Sequence, residues 1–393
     1  MSRDVVVVGV GMIPFTKPGA NAPYPLMAAA ATNAALTDAG ISYGLIQQAY
    51  VGYVYGDSTA GQRALYEVGM TGLPVINVNN NCSTGSTALF LARQAVASGA
   101  ADCVLALGFE HMNPGALGLV FEDRPSPFSR FDAATDELVD AALPLALRYF
   151  AGAGLAHMTE FGTRVETFAK IRAKASRHAA NNPLALFRTI VSEDEVMASP
   201  MIWPGVLTKL MACPPTCGSA AAVVCSAGFA QRHGLSAAVR IKAQAMTTDR
   251  PITFAARDMR EVVGFSMARD AALQVYEAAG VGPQDLDVVE LHDCFAHNEL
   301  LSYEALGLCP RGGAEKFVCD GDNTYGGQVV TNPSGGLLSK GHPLGATGLA
   351  QCFELTQQLR GTAGPRQVEG ARLALQHNLG LGGACVVTLY ERV

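Results

Sequence analysis

Asn79-Asn80-Asn81-Cys82-Ser83-Thr84-Gly85 opens an apolar stretch of helical spacing, and far along the chain Ser339-Lys340-Gly341-His342-Pro343-Leu344-Gly345 opens another, Leu349 to Leu359. A short β-rich run follows each helix, Val104-Leu105-Ala106-Leu107-Gly108 after the first and Leu373-Ala374-Leu375 after the second. With Gly85 laid on Gly345, Cys82 falls at the position of His342. Gln48-Ala49-Tyr50-Val51-Gly52, ending in Gly56-Asp57, likewise has a counterpart in Asp287-Val288-Val289-Glu290-Leu291, ending in His292-Asp293-Cys294. The reading is two similar α/β halves, each presenting reactive residues on a strand-to-helix turn, where open α/β sheets place their ligands.

Outside these turns, β-rich runs such as Val5 to Val8 alternate with Ala/Leu-rich stretches such as Leu26 to Ala39. That alternation predicts an α/β protein with buried, mostly parallel strands. Residues 119–211 change character: prolines 125, 127, 144, 183, 200 and 204, the single Trp203 and the clusters Glu122-Asp123-Arg124 and Glu193-Asp194-Glu195 lie there. They read as a loop domain inserted over a site. The expected division is a first half at 1–118 completed by about 212–248, the loop domain at 119–211 and a second half at 249–393.

Hydrophobic residues make up 49% of the 393 and charged ones 16%, against about 25% charged in typical domains, which excludes disorder. The net charge of −6, from 28 basic and 34 acidic residues without runs, gives no footprint for nucleic acid. No apolar stretch reaches the roughly 18 residues of a membrane span. The ten cysteines are scattered through Ala- and Val-rich segments, where a thiol packs as a small hydrophobe in a reducing compartment. Asp4 interrupts the charged start and Glu391-Arg392-Val393 is no Ser-Lys-Leu address, so the expected location is cytoplasmic.

Cys82 stands just before a helix whose positive end should lower its thiol pKa below about 8.5 and free a thiolate nucleophile; the bland alternative is a buried Cys in a helix cap. His342, bracketed by glycines, is either a structural turn or the base that activates Cys82 across a pseudo-twofold axis. His292-Asp293-Cys294 with His297 could be metal ligands, but no second Cys pair stands at zinc spacing, and Cys213-Pro-Pro-Thr-Cys217 is a poor clip for the same reason. No metal is expected. Gly9-Val10-Gly11 lacks the third glycine and the following helix of a dinucleotide fingerprint, so no nicotinamide cofactor is expected either.

Asn79 to Leu91, His292-Asp293-Cys294-Phe295, Gly321-Asp322-Asn323-Thr324-Tyr325-Gly326-Gly327, Asn332 to Gly348 and His377-Asn378-Leu379-Gly380 together resemble the thiolases, and among them the thiolase domain of sterol carrier protein x. The resemblance covers nearly the whole chain. It implies the thiolase fold, five layers α-β-α-β-α from two similar halves plus an inserted loop domain, paired as a homodimer. It implies cleavage of a 3-oxoacyl-CoA by CoA, or the reverse, with CoA and acyl-CoA thioesters as partners and no other cofactor. On that model Cys82 becomes acylated, His342 activates it, and His292 holds a water in one oxyanion hole. The amides of Cys82 and Gly380 form the other, and His157-Met158 lie along the pantetheine arm. Asn378 stands where many thiolases carry a second catalytic Cys, so it is expected among the substrate-binding residues while the acid/base role passes to Cys294. Cys217 replaces an Asp of the relatives. Two other functions share the fold or its label: a retro-aldolase subunit acting on steroid side-chain CoA esters, and a non-catalytic acyl-CoA or lipid carrier.

Overall fold

Val5 to Val8 cannot form an amphipathic helix, and the chain uses them as a strand buried on both faces. Val5 and Val7 point to one core and Val6 and Val8 to another, as the period of two along a strand requires; Val10 rejoins the first core past a register shift between Val7 and Gly9. The computed structural model describes residues 3–114, 121–139 and 143–393. Residues 119, 120 and 140–142 of the expected loop domain lie outside that set.

Twelve strands follow in chain order: β1 (Val5–Met12), β2 (Gln48–Gly52), β3 (Val75–Val78), β4 (Cys103–Glu110), β5 (Met201–Trp203), β6 (Leu207–Thr208), β7 (Gly218–Ser226), β8 (Val239–Thr247), β9 (Val288–Glu290), β10 (Val330–Thr331), β11 (Leu373–Gly380) and β12 (Ala384–Arg392). Strands β5 and β6 pair only with each other; the remaining ten form one ladder, β10-β9-β11-β12-β8-β1-β7-β4-β2-β3. Each end of it repeats the same order. In β3-β2-β4-β7-β1, as in β10-β9-β11-β12-β8, the third, second, fourth, fifth and first strands of a set succeed one another. The two sets meet through a single pair, Val6 with Arg240.

The sheet is mixed rather than mostly parallel. β2 runs parallel to β3 and β4, and β9 to β10 and β11, but the fifth strand of each set returns antiparallel. In the second set the return is a short turn, Leu381-Gly382-Gly383, too brief for the crossover that parallel pairing needs. The stretch 239–247, expected with the first half, pairs along its length with β12 of the second.

The helices Thr84–Ser98 and Thr347–Arg360 lie between the two halves. Leu89, Ala92, Val96, Leu349 and Leu355 share one core with Val5 and Val7 of β1 and with Val288 and Ala374 of the second half. Outside the first half lies the helix Tyr24–Ala39 against Val6 and Val8; outside the second lie Phe265–Ala279 and Ala296–Ala305 against Leu375, Val387 and Leu389. The result is α-β-α-β-α. Each fully buried Leu or Val side chain in these layers contributes about 1.5–3 kcal/mol, so the central pair is held from both sides.

Two glycines set how closely the central helices approach. A Cβ at Gly85 would sit 3.1 Å from the Gly348 nitrogen, and one at Gly348 would sit 2.2 Å from the Ser86 hydroxyl. Thr84 and Thr347 begin the helices, so Gly85 corresponds to Gly348, not to Gly345. His342 therefore stands farther in front of its helix than Cys82 does. That longer approach lets it reach across the junction.

From 121–211, helices Leu145–Phe161 and Val165–Ala180 pack on Ala296–Ala305, and Phe150 stacks on Phe295 with ring centres 5.2 Å apart. Among the described residues no helix is long and apolar enough to cross a membrane.

Candidate active site

The asparagine run before Cys82 builds a turn from its own side chains. Asn79 Oδ1 accepts the Asn81 N–H at 3.0 Å, Asn81 takes a left-handed φ of 51°, and Ser83 Oγ donates to the Asn80 carbonyl at 2.8 Å. Asn tolerates that conformation because its short amide closes local hydrogen bonds. Thr84 Oγ1 then accepts the Asn80 N–H at 2.8 Å and donates to the Asn81 carbonyl at 2.6 Å, fixing Cys82 just ahead of the helix.

Across the junction, His342 is held at backbone and ring. Its N–H donates to Thr216 Oγ1 at 3.1 Å, and its Nδ1 lies 2.7 Å from Thr347 Oγ1. Thr347 gives its own proton to the Pro343 carbonyl at 3.1 Å, which can only accept. With the Thr347 proton on that carbonyl the imidazole proton sits on Nδ1, which leaves Nε2, buried and without a partner, with a lone pair. Cys82, His292 and His342 each offer a ligand-type atom within 4.8 Å of the others. The two rings stand nearly perpendicular, centres 5.0 Å apart.

His292 is oriented by Asn378. The Asn378 amide N–H group reaches the Cys82 carbonyl at 3.1 Å and His292 Nδ1 at 3.1 Å, while its oxygen accepts from Ser86 Oγ at 2.8 Å. Gln376 Nε2 donates to Ser86 Oγ at 2.7 Å and to the Gly348 carbonyl at 2.6 Å. As a metal set the trio would need the His292 lone pair, which already receives the Asn378 N–H. Turning that amide would face its oxygen to the Cys82 carbonyl. The donor set fits proton chemistry better than a cation.

Burial overturns the expected activation of Cys82 by the helix end. Removal from water, followed by the nearby Glu110 charge, pushes the thiol up to about 12, against the lowering pull of its own N–H and that of Leu381. The same desolvation, assisted by Lys340, holds His342 down to about 3. Cys82 and His342 are thus both neutral near pH 7. His292 is likewise held neutral, by burial first and then by His342 and His377.

Cys294 is buried, and burial followed by the neighbouring Cys213 and Cys82 raises its thiol well above the ordinary value. It is a protonated thiol within electrostatic reach of Cys82. Its carbonyl accepts the Cys213 N–H at 2.9 Å, and Asp293 beside it accepts the Leu337 N–H at 2.7 Å. Gly380 packs on the Cys82 turn, where a Cβ would sit 2.2 Å from the Asn80 carbonyl oxygen. The neighbouring amide turned on the Cys82 sulfur belongs to Leu381.

His157 is not brought to this group. Fully buried, it is bound at Nδ1 by Thr163 at 2.8 Å and at Nε2 by Glu304 at 2.9 Å, a brace between two helices. Met158 is half-buried beside it. Cys217 takes the Met112 N–H on its sulfur at 3.2 Å and joins Met27, Met112 and Leu344 in the small core around Cys82.

Sequence reasoning missed Glu110, Ser86, Gln376 and Thr347. Glu110, fully buried, accepts N–H groups from Val54 at 3.1 Å, Tyr55 at 3.0 Å and Gly345 at 2.9 Å, clamping the His342 turn to the end of β2. Burial raises its carboxyl to about 7. Ser86 was legible as the residue one helical turn beyond Cys82, and Gln376 as the residue sharing Asn378's face of a strand.

Models of two halves of one family match this chain: "Thiolase, N-terminal domain" over residues 5–182 and "Thiolase C-terminal domain-like" over 252–390. "Sterol carrier protein 2" of Homo sapiens is 56% identical over 394 residues, covering 99% of this chain and 72% of that protein. Among solved structures, "Ltp2-ChsH2(DUF35) aldolase" superposes with a TM-score of 0.84 at 23% identity, over 100% of this chain and 98% of that one. Human mitochondrial 3-ketoacyl-CoA thiolase in complex with CoA superposes at 0.75 and 19% identity, over 100% and 98%.

Proposed function

Because the chain belongs to the thiolase family, we propose that it is an acyltransferase that cleaves a 3-oxoacyl-CoA with CoA to acetyl-CoA and a shortened acyl-CoA, or runs the reverse condensation. One observation carries the reading: His342 Nε2 is buried without a hydrogen-bond partner, and a ring nitrogen of His342 lies within 4.8 Å of the Cys82 thiol and of His292. A nucleophile and a base with no other task suit covalent catalysis.

Cys82 passes its proton to His342 Nε2 as its sulfur attacks the 3-oxo carbon. The bond between C2 and C3 then breaks, its electron pair moving to C2 of the departing acetyl-CoA. His292 and the protonated His342 donate hydrogen bonds to the thioester oxygen that gathers this charge, a stabilisation worth most where water is excluded. Cys294 supplies the proton to C2. CoA gives its proton to the Cys294 thiolate and attacks the acyl group on Cys82, and the departing Cys82 thiolate recovers its proton from His342. The Cys82 amide, with that of Gly380 or Leu381, faces the tetrahedral oxyanion.

Residues 119–211 form the loop domain over this site in the same reading, and CoA is bound as substrate. The protein acts as a homodimer through β3, which ends the ladder with a half-exposed apolar edge, a liability if left unpaired. Light scattering tests this: a particle of about twice the chain mass is expected, and a stable monomer at micromolar concentration contradicts it. A retro-aldolase or a carrier would need no acyl-enzyme. Mass spectrometry of the protein after exposure to a 3-oxoacyl-CoA distinguishes them, since only the thiolase reading leaves an acyl group on Cys82.

A further inference from the structure

Two histidines face one reacting group, and neutral imidazoles carry their proton on either of two nitrogens. At His292 the choice is dictated from a distance. The Gly348 carbonyl can only accept, so the Gln376 group 2.6 Å from it is the amide nitrogen. Tyr390 donates to the other end, Gln376 Oε1. Gln376 therefore donates to Ser86, and Ser86, with its proton free, donates to Asn378 Oδ1. At the far end the Cys82 carbonyl, also acceptor-only, demands the Asn378 amide nitrogen at 3.1 Å. Both ends of the relay agree. The Asn378 group facing His292 Nδ1 is a donor, and the imidazole proton must lie on Nε2.

We propose that Asn378 is a positioning residue that fixes His292 as the Nε2–H tautomer, so that His292 serves as a hydrogen-bond donor while Thr347 fixes His342 in the opposite tautomer as the base. This rests on the thiolase reading for its consequence, but the tautomer itself does not. It gives Asn378 a task different from that of a titrating thiol at the same position. The carboxamide never touches the reacting atoms; it decides which nitrogen of His292 does. It also explains why a metal ion is a poor occupant of the trio.

The test is the tautomer of His292, read by nitrogen NMR of full-length protein labelled in its imidazoles, with the His292 signals assigned by loss in His292→Gln. Wild type is expected to carry the proton on Nε2. Asn378→Asp, nearly isosteric but accepting where Asn donates, is expected to move it to Nδ1 and to lower kcat about 10²-fold, as loss of one oxyanion donor does, with a smaller effect on KM. A wild-type proton on Nδ1, or a tautomer unchanged in Asn378→Asp, overturns the proposal. Should that variant fail to fold, Ser86→Ala, which loosens the amide, is expected to populate both tautomers; a single unchanged one overturns it. A tautomer that moves while no thiolysis is found in either protein sinks the thiolase reading and leaves the role of Asn378 standing.

Discussion

The imidazole of His342 and the hydroxyl of Thr347 are joined by a 2.7 Å hydrogen bond, in which Nδ1 is the donor when Thr347 gives its own proton to the Pro343 carbonyl at 3.1 Å. Thr347 thus holds the Nε2 lone pair toward Cys82. Thr347→Val keeps the shape and removes the acceptor; it should lower kcat/KM by about 10- to 100-fold, in line with about 1.5–3 kcal/mol for a hydrogen bond to a group that becomes charged. Thr347→Ser should restore most of the loss. Equal rates for Thr and Val at this position would remove Thr347 from the account.

Cys82 held up to about 12 beside a His342 held down to about 3 makes a claim about the free enzyme. Alkylation of Cys82 by iodoacetamide, which needs thiolate, should keep accelerating as pH rises from 6 to roughly 10. A rate that is already at its plateau near pH 6 would show a standing thiolate-imidazolium pair and contradict the neutral one.

How much of this was legible in the sequence follows from what each signal depends on. Cys82, His292 and His342 stood out because glycines and asparagines punctuate the turns that carry them, and backbone turns are local. The two similar halves were legible for the same reason, as a repeated string of runs and turns, though not the order in which their strands pair. The sheet's mixed pairing was not, since Gly218–Ser226 and Ala384–Arg392 look alike whichever way they run. Thiol acidity was misjudged because a helix end can be read from sequence, whereas burial of Cys82 on all sides cannot. The partner of His157, Glu304, stands far along the chain and could not be read beside it in the sequence. The relay from Tyr390 through Gln376 and Ser86 to Asn378 joins one helix and two strands, and no single window of sequence contains it.

Close approach of the central helices gives a packing test. A Cβ at position 348 would lie 2.2 Å from Ser86 Oγ, 2.3 Å from the Ser86 nitrogen and 2.6 Å from Asn378 Oδ1. Since backbone cannot yield as a side chain can, Gly348→Ala should cost about 1–3 kcal/mol and disturb Asn378. Urea denaturation reads the first effect. Unchanged stability would mean the helices part without penalty.

Stability should also respond to acid through His178, whose ring is buried between the Asn332 carbonyl at 3.0 Å and Thr324 Oγ1 at 2.8 Å and is held down to about 3, by burial first and then by Lys174. Unfolded, it titrates at about 6.5. Its neutral form therefore supports the fold fully above pH 6.5, and the contribution is lost as pH falls toward 3, at up to about 1.4 kcal/mol per pH unit. His178→Asn should flatten that part of the stability profile relative to wild type. Parallel profiles would refute the burial argument for this residue.

The central claim is an acyl group carried on Cys82, and intact-protein mass spectrometry followed by peptide mapping tests it directly. After brief incubation with a 3-oxoacyl-CoA in the absence of free CoA, the account predicts one added acyl group, two carbons shorter than the substrate's, on the Cys82 peptide, lost again when CoA is added. Cys294→Ala should still accept an acyl group from a simple acyl-CoA, yet fail to exchange solvent deuterium into the methyl of acetyl-CoA. Carbon–carbon cleavage with no acyl group on Cys82, or an adduct on another cysteine, would contradict the account.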